Sequence, residues 1–331
     1  MSFRQTLEGL PLVSRLFRPA RPSVAVELTD ESLTVVRSGR SVDEPLSAYF
    51  HAEVPAGTVQ LSPVEDNLPG LERLVPLVKT ARSRVAPSGI ATALCLPDVV
   101  ARVAILTVDR VPRKESEVQD MVAWRLKKSL PYPVEEAATA WQAFPAKGGR
   151  QSLLTVVIRR RILSQYEELF ASAGLPIGMV TLRSLVLAEA LPETTGAQDQ
   201  FLLSVGSGWF SILITDGQEP IFFRCKPLPE AERHGAERDW FVSGELVPTV
   251  EYYRRKLAGQ GLSPLYLQVA GPGWADMDET LRTTLDMPEL LPARPLPQLP
   301  AQGLPVEVKD IIAAPALLAT RSLGRSVRGA A

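Results

Sequence analysis

The sequence has few of the residues that metal centres and disulfide frameworks need. Its 331 residues include two cysteines and two histidines, Cys95, Cys225, His51 and His234. Zinc sites of the Cys/His type take four such ligands at short spacings, and disulfide-stabilised folds use several cysteine pairs. Both classes are therefore excluded, and no metal ligands are expected.

Excess charge and long apolar runs are also missing. The 36 basic and 37 acidic residues give a net charge of −1, so no overall field attracts nucleic acid. The longest apolar runs, 90–97 and 201–205, are far shorter than the roughly 18 residues that span a bilayer. The chain start also lacks the continuous apolar core of a signal peptide. We expect a cytoplasmic protein that binds no nucleic acid.

Short apolar runs alternate with helical patterns along most of the chain. The runs predict strands at 23–28, 33–36, 46–54, 91–96, 101–108, 153–158, 201–205, 210–215, 220–225 and 265–269. Periodic apolar positions predict helices over 70–85, 114–130, 161–173, 182–191, 242–257 and 308–328. The length favours two domains or one two-lobed fold of the α/β class.

Two segments stand apart from this pattern. Residues 1–22 carry four arginines against one glutamate, with apolar residues at helical spacing. This segment either contacts a membrane surface or a partner, or folds back on its own domain or stays mobile. Six prolines between Pro288 and Pro305 predict an extended connection.

A strand–turn–strand unit occurs near residue 24 and again near residue 202, and a glycine turn follows a strand at 271–273. Twin hairpins in two halves of a chain are typical of a two-lobed fold that holds a nucleotide between its lobes.

Residues 122–136 read VAWRLKKSLPYPVEE. This segment resembles the signature of the PilM family of type IV pilus assembly proteins, in which a helix with Trp and Lys precedes an aliphatic-Pro-aromatic-Pro turn and acidic residues. Segments 153–191, 252–255 and 265–274 are similar to later parts of that family. Its relatives include the cytoplasmic part of the type II secretion protein GspL and the division protein FtsA.

The resemblance implies an actin-like, ribonuclease H-like α/β fold with two lobes. The first lobe is expected at 23–199, with a small α+β subdomain inserted at about 86–146, and the second lobe at 200–331. It also implies a scaffold of a pilus or type II secretion machine at the inner face of the inner membrane. Such a scaffold binds the cytoplasmic tail of a PilN-like membrane protein, couples it to the assembly ATPase, and associates with the membrane through these partners.

The tail is expected between the main lobe and the inserted subdomain. Trp124 and Tyr132 are the expected anchors, because large aromatic side chains dominate such interfaces. The alternative is that both rings pack in the core of the subdomain.

The resemblance places a nucleotide site at seven residues: Glu27, Thr29, Ser204, Gly206, Gly208, Gly271 and Gly273. Nucleotide-binding members have Asp and Gly where this chain has Glu27 and Thr29, and a second Asp at Ser204. Thr181 stands at an acidic cleft position, and Pro272 replaces a glycine. A hydroxyl does not replace a carboxylate in a magnesium shell.

These departures together predict a degenerate site that hydrolyses no ATP and needs no cofactor, although binding of ATP with magnesium stays open. Gly206-Ser207-Gly208 is also the pattern of a tight hairpin turn, which we favour over a phosphate cradle. The rival functions are an active ATPase or small-molecule kinase, which needs carboxylates at Glu27 and Ser204, and an FtsA-like membrane-associated filament, which needs a terminal amphipathic helix.

Overall fold

The computed structural model describes residues 22–40, 45–86, 90–192, 198–257, 261–270, 273–296 and 306–320. The expectations for segment 1–21, for Gly271 and Pro272, and for the helix beyond residue 320 lie outside these residues.

Most elements lie where the sequence predicts a strand or a helix, whereas segments such as Ala137–Ala143 and Trp274–Thr284 form elements where neither is predicted. The strands are β1 (Val24–Leu28), β2 (Ser32–Ser38), β3 (Leu46–Glu53), β4 (Thr92–Leu96), β5 (Arg102–Val108), β6 (Ala137–Ala143), β7 (Gln151–Arg159), β8 (Ile177–Leu182), β9 (Asp199–Val205), β10 (Trp209–Asp216), β11 (Glu219–Pro227), β12 (Leu262–Val269) and β13 (Arg294–Pro295). The helices are α1 (Leu71–Val85), α2 (Glu115–Leu126), α3 (Arg160–Ser172), α4 (Arg183–Leu187), α5 (Gly235–Tyr252), α6 (Trp274–Thr284), α7 (Val306–Ile311) and α8 (Ala313–Thr320). A π-helical turn, Tyr253–Leu257, extends α5.

The chain divides into two compact units, one of Met1–Leu182 with Leu318–Ala331 and one of Arg183–Leu317. The sequence predicts this boundary at residue 199, whereas the chain changes unit directly after β8. That strand completes the first sheet, so the unit ends with it.

The two units repeat one sheet topology. In the first unit the strand order is β3-β2-β1-β4-β8, and in the second it is β11-β10-β9-β12-β13. β1 pairs antiparallel with β2 and parallel with β4. In the same way, β9 pairs antiparallel with β10 and parallel with β12. Every residue of β1 and of β9 is buried, as in sheets that are covered on both faces. The predicted α/β fold class with twin hairpins is confirmed.

A third, smaller sheet lies in the first unit. Its order is β5-β7-β6, all antiparallel, and α2 packs on one face. The helix contributes Val118, Val122 and Leu126 to a core that also contains Leu153 and Val157 of β7. The sheet with its helix therefore runs from the start of β5 to the end of β7, whereas the sequence-based boundary of 86–146 leaves β7 outside.

None of the helices within the described ranges combines the length and the apolar character that crossing a bilayer requires. The same residues contain no group of three or more His, Cys, Asp or Glu side chains placed to hold a metal ion.

Candidate nucleotide site and partner-binding surface

Glu27 lies in a polar row that crosses the first sheet. In register it pairs with Thr34 on one side and Cys95 on the other, and the row continues to His51 and Thr181. The carboxylate is only 3% exposed and accepts a hydrogen bond from the Cys95 thiol, with 3.9 Å between Sγ and Oε1. The structure thus brings Glu27 and Thr181, two positions of the expected nucleotide site, onto one row.

His51 occupies the outer end of this row. Its Nδ1 lies 3.0 Å from the Thr34 hydroxyl. Burial lowers the pKa of His51, although the carboxylates of Glu53 and Glu27 oppose the shift. The ring is therefore neutral at pH 7 and supplies no positive charge to Glu27.

The turn of the first hairpin is closed by its own side chain. The Thr29 hydroxyl accepts hydrogen bonds from the backbone N–H groups of Glu31 and Ser32, at 3.2 and 3.0 Å. The Thr29 N–H in turn donates to the Ser32 carbonyl at 2.9 Å. Backbone N–H groups in such a turn bind a phosphate only when they are available. Here two of them are already satisfied, and Asp30 and Glu31 add negative charge.

The second hairpin turn is shaped by a tryptophan. The N–H of Gly206 donates to the carbonyl of Trp209 at 2.8 Å, which closes the turn. A Cβ atom at Gly206 would lie 2.6 Å from the Trp209 ring, which is completely buried. The carbonyl of Gly208 accepts a hydrogen bond from Leu228 at 2.8 Å. Packing therefore explains the glycine at 206, and the turn is the tight hairpin that the sequence favours.

Ser204 lies in a polar row of the second sheet that repeats the first. It pairs with Ser211 on β10 and with Gln268 on β12. Ser204 is fully buried, and its Oγ has no hydrogen-bond partner among the described residues. Ser211 bonds the hydroxyl of Ser184 at 2.6 Å, and Gln268 accepts a hydrogen bond from the buried guanidinium of Arg183 at 2.9 Å. The guanidinium of Arg183 and the hydroxyls of Ser184 and Ser211 thus bond along the polar row that contains Ser204. Ser204 is the position where the resemblance implies a carboxylate.

Gly273 begins α6 with a left-handed backbone, φ +109°. A Cβ atom there would lie 2.7 Å from Nη2 of Arg238, a residue of α5 that is 8% exposed. Nε of Arg238 donates to Asp239 at 2.8 Å. Burial raises the pKa of Asp239, Arg238 opposes this, and Asp276 adds to it. The retained glycine therefore accommodates an arginine side chain of its own unit.

The structure separates the two expected partner anchors. Trp124, on α2, is 75% exposed, and the guanidinium of Arg125 lies 5.8 Å from its ring centre. Tyr132 is 9% exposed and belongs to the core between α2 and the small sheet. Trp124 has the exposure that an anchor needs, whereas Tyr132 packs in the subdomain core.

Arg159 belongs to the run of three arginines at 159–161, a pattern that could bind phosphate or nucleic acid but is more typical of a solvated surface. Its guanidinium lies 5.7 Å from the centre of the Tyr132 ring, and its Nε donates to Glu136 at 2.8 Å. Its Nη1 donates to the carbonyl of Val64 at 2.6 Å. Burial raises the pKa of Tyr132 to about 12; Arg159 opposes the shift and Glu136 adds to it. Arg159 therefore ties the Pro-Tyr-Pro turn to the loop before α1.

Comparison with known proteins identifies the fold. No protein-family model and no curated protein matches the sequence. A solved structure titled as the PilM–PilN type IV pilus biogenesis complex is similar over 92% of this chain and 99% of that chain, with a TM-score of 0.74 and 17% identity. A Bacteroides thetaiotaomicron protein described as having an actin-like ATPase fold is similar over 90% of this chain and 95% of that chain, with a TM-score of 0.54 and 11% identity.

The chain has the actin-like fold. The cytoplasmic domain of EpsL, an inner-membrane component of the Vibrio cholerae type II secretion system, shares this fold with a TM-score of 0.52. That match has 13% identity and covers 91% of this chain and 94% of that domain. The expected actin-like architecture is thus confirmed over nearly the whole chain.

Proposed function

We propose that this actin-like chain is a cytoplasmic scaffold of a type IV pilus or type II secretion machine. In this role it binds the cytoplasmic tail of a PilN-like inner-membrane protein and couples it to the assembly ATPase. The observation that carries the proposal is the fold match across the whole length of a protein in a PilM–PilN complex. The signature VAWRLKKSLPYPVEE at 122–136 supports it.

The inserted subdomain offers the features that an extended tail requires. β5 is an edge strand of the small sheet. Ala104 and Leu106 of β5 pack against the subdomain core, so Val103 and Ile105 face the opposite side, where both are half-buried. A peptide that adds to such an edge gains main-chain hydrogen bonds and places alternate side chains on the two faces of the sheet, one of which α2 covers. Trp124 is the proposed aromatic anchor, with Tyr132 shaping the site from the core.

The test is binding of a peptide that copies the cytoplasmic tail of the PilN-like protein from the same genome. Trp124→Ala is expected to weaken the peptide Kd by at least about fivefold without changing Tm, as for an interface anchor. Trp240→Ala is the matched control, because Trp240 is 56% exposed on α5. Tyr132→Ala is expected to lower Tm. If the Trp124 and Trp240 variants bind the peptide with equal affinity, Trp124 is not an anchor of the tail.

We further propose that the nucleotide site is degenerate and supports no magnesium-dependent ATP hydrolysis. The support is the chemistry of Thr29, whose hydroxyl takes two turn N–H groups, and of Ser204, which lacks a carboxylate. The assay is ATP turnover of the purified chain with and without magnesium, beside Glu27→Gln. Turnover that depends on magnesium and disappears in Glu27→Gln would refute the proposal, because a contaminating ATPase does not respond to that substitution.

A further inference from the structure

The C-terminal end of α2 carries a group of unpaired cations. Arg125, Lys127 and Lys128 are exposed, and they follow Trp124 within four residues. Arg125 lies beside the Trp124 ring, and none of the three basic side chains forms an ion pair with a described carboxylate. We call Trp124, Arg125, Lys127 and Lys128 the α2 cluster.

The end of α5 shows that an exposed basic run in this protein can be neutralised by its own carboxylates. Arg254 pairs with Glu289, and Arg255 lies 4.0 Å from Glu251. Both helices thus end in a basic segment next to an exposed aromatic side chain, but within the described residues Arg125, Lys127 and Lys128 lack the carboxylate partners that Arg254 and Arg255 have.

The charge of the whole subdomain has the same sign as the cluster. Residues 101–159 contain ten basic and six acidic residues, a net charge of +4, in a chain whose net charge is −1. The nearest carboxylate before the cluster on α2 is Asp120, five residues before Arg125 and seven before Lys127, which is about 8 and about 10 Å along a helix. These distances are close to the screening length at physiological salt. The helix end therefore presents positive charge outward.

We infer that the α2 cluster contacts the surface of a membrane that contains anionic phospholipids. Lysine and arginine side chains near such a surface are attracted to its headgroups, and an exposed tryptophan ring favours the interface between headgroups and acyl chains. Lys127 and Lys128 follow the last residue of α2 and lie in no strand, so these two side chains offer no strand edge to the backbone of a peptide. A lipid surface needs only protruding side chains. This direct contact goes beyond the proposed function, in which partners alone hold the protein at the membrane.

The experiment is co-sedimentation of the full chain with vesicles of equal parts phosphatidylglycerol and phosphatidylcholine. Vesicles of phosphatidylcholine alone are the neutral comparison. The double variant Lys127→Gln/Lys128→Gln is expected to bind the anionic vesicles about thirtyfold more weakly, from about 1 kcal/mol per charge near the surface. Trp124→Ala is expected to weaken binding as well, and added salt weakens binding of the unmodified chain.

The matched control is Arg255→Gln/Lys256→Gln at the end of α5, which is expected to bind like the unmodified chain. Unchanged Tm in both double variants shows that folding is intact. No binding to anionic vesicles overturns the inference, and so does equal binding by both double variants, which would assign the attraction to other arginines such as those of segment 1–22. Binding of an acidic peptide instead of vesicles would also overturn it. No partner peptide is present and both double variants keep Trp124, so their outcomes are independent of the proposed function.

Discussion

Replacing Arg159 with alanine tests how the inserted subdomain is held to the main body of its unit. The substitution removes the hydrogen bond to the Val64 carbonyl, the ion pair with Glu136 and the contact with the Tyr132 ring. A hydrogen bond from a charged donor contributes about 1.5–3 kcal/mol, and a cation over an aromatic ring about 0.5–1 kcal/mol. The ion pair adds at most about 1 kcal/mol, because its side chains are 22% and 43% exposed.

The expected loss for Arg159→Ala is therefore about 2–5 kcal/mol in the free energy of unfolding. Urea unfolding followed by circular dichroism measures it. Arg160→Ala is the matched control, since the neighbouring side chain is exposed, and its expected effect is within about 0.5 kcal/mol. Arg159→Lys keeps the charge but not the planar fork that reaches two acceptors, so we expect most of the loss to remain.

Amide hydrogen exchange locates the effect. In Arg159→Ala we expect faster exchange at the turn around Tyr132 and in the loop that contains Val64, with the second unit unchanged. If Arg159→Ala is destabilised no more than Arg160→Ala, or if exchange rises evenly over the chain, Arg159 does not hold the turn to the loop. The proposed tail-binding site would then need another source of rigidity.

Two further predictions concern Tyr132 and the glycines. Because the pKa of Tyr132 is raised to about 12, its contribution to stability is complete below pH 10 and is lost as the pH rises through 12. Urea unfolding should therefore show that the free energy of unfolding falls less at alkaline pH in Tyr132→Phe than in the unmodified chain. An equal fall in both proteins would contradict this. Gly206→Ala should destabilise by about 1–3 kcal/mol, because its Cβ meets the buried Trp209 ring, whereas Gly244→Ala, with open space in α5, should stabilise by about 0.5–1 kcal/mol. Thermal unfolding measures both, and effects of the same sign would refute the packing argument.

The sheets were predictable where the strands are rich in β-branched residues and separated by turn residues. The runs on either side of Thr29–Ser32 and Gly206–Gly208 predict the twin hairpins, which the structure contains. β6 was not predicted, because the sequence AATAWQA has little β-propensity and no alternation, and its pairing with β7 is a tertiary effect. The helix predicted over 114–130 ends at Leu126, four residues before the predicted end and five before Pro131.

The sequence predicts which residues belong to the candidate sites, but it predicts only in part whether each side chain is buried and what it contacts. The stripe of Val118, Val122 and Leu126 leaves Trp124 on another face of α2, so its exposure follows from helical periodicity. The burial of Tyr132 depends on the small sheet and has no local signal. Arg159 stands in a run of three arginines, a pattern typical of a solvated surface, and only the fold shows that it binds the loop before α1.

Ser204→Asp tests whether a single added carboxylate is enough for the nucleotide site to hydrolyse ATP. The change introduces the carboxylate that the PilM resemblance expects, at a position that is completely buried. Burying an ionised carboxylate costs several kcal/mol, and the buried guanidinium in this row, that of Arg183, already donates a hydrogen bond to Gln268. Burial also raises the pKa of the introduced carboxyl group. We therefore expect Ser204→Asp to lose stability relative to Ser204→Asn, which has the same size without charge, and to lose more at about pH 8 than at about pH 5. We also expect no ATP turnover with magnesium. A variant that is as stable as Ser204→Asn at the higher pH and hydrolyses ATP would refute the degenerate site, because one carboxylate would then have restored a metal site that Thr29 and Glu27 had left intact.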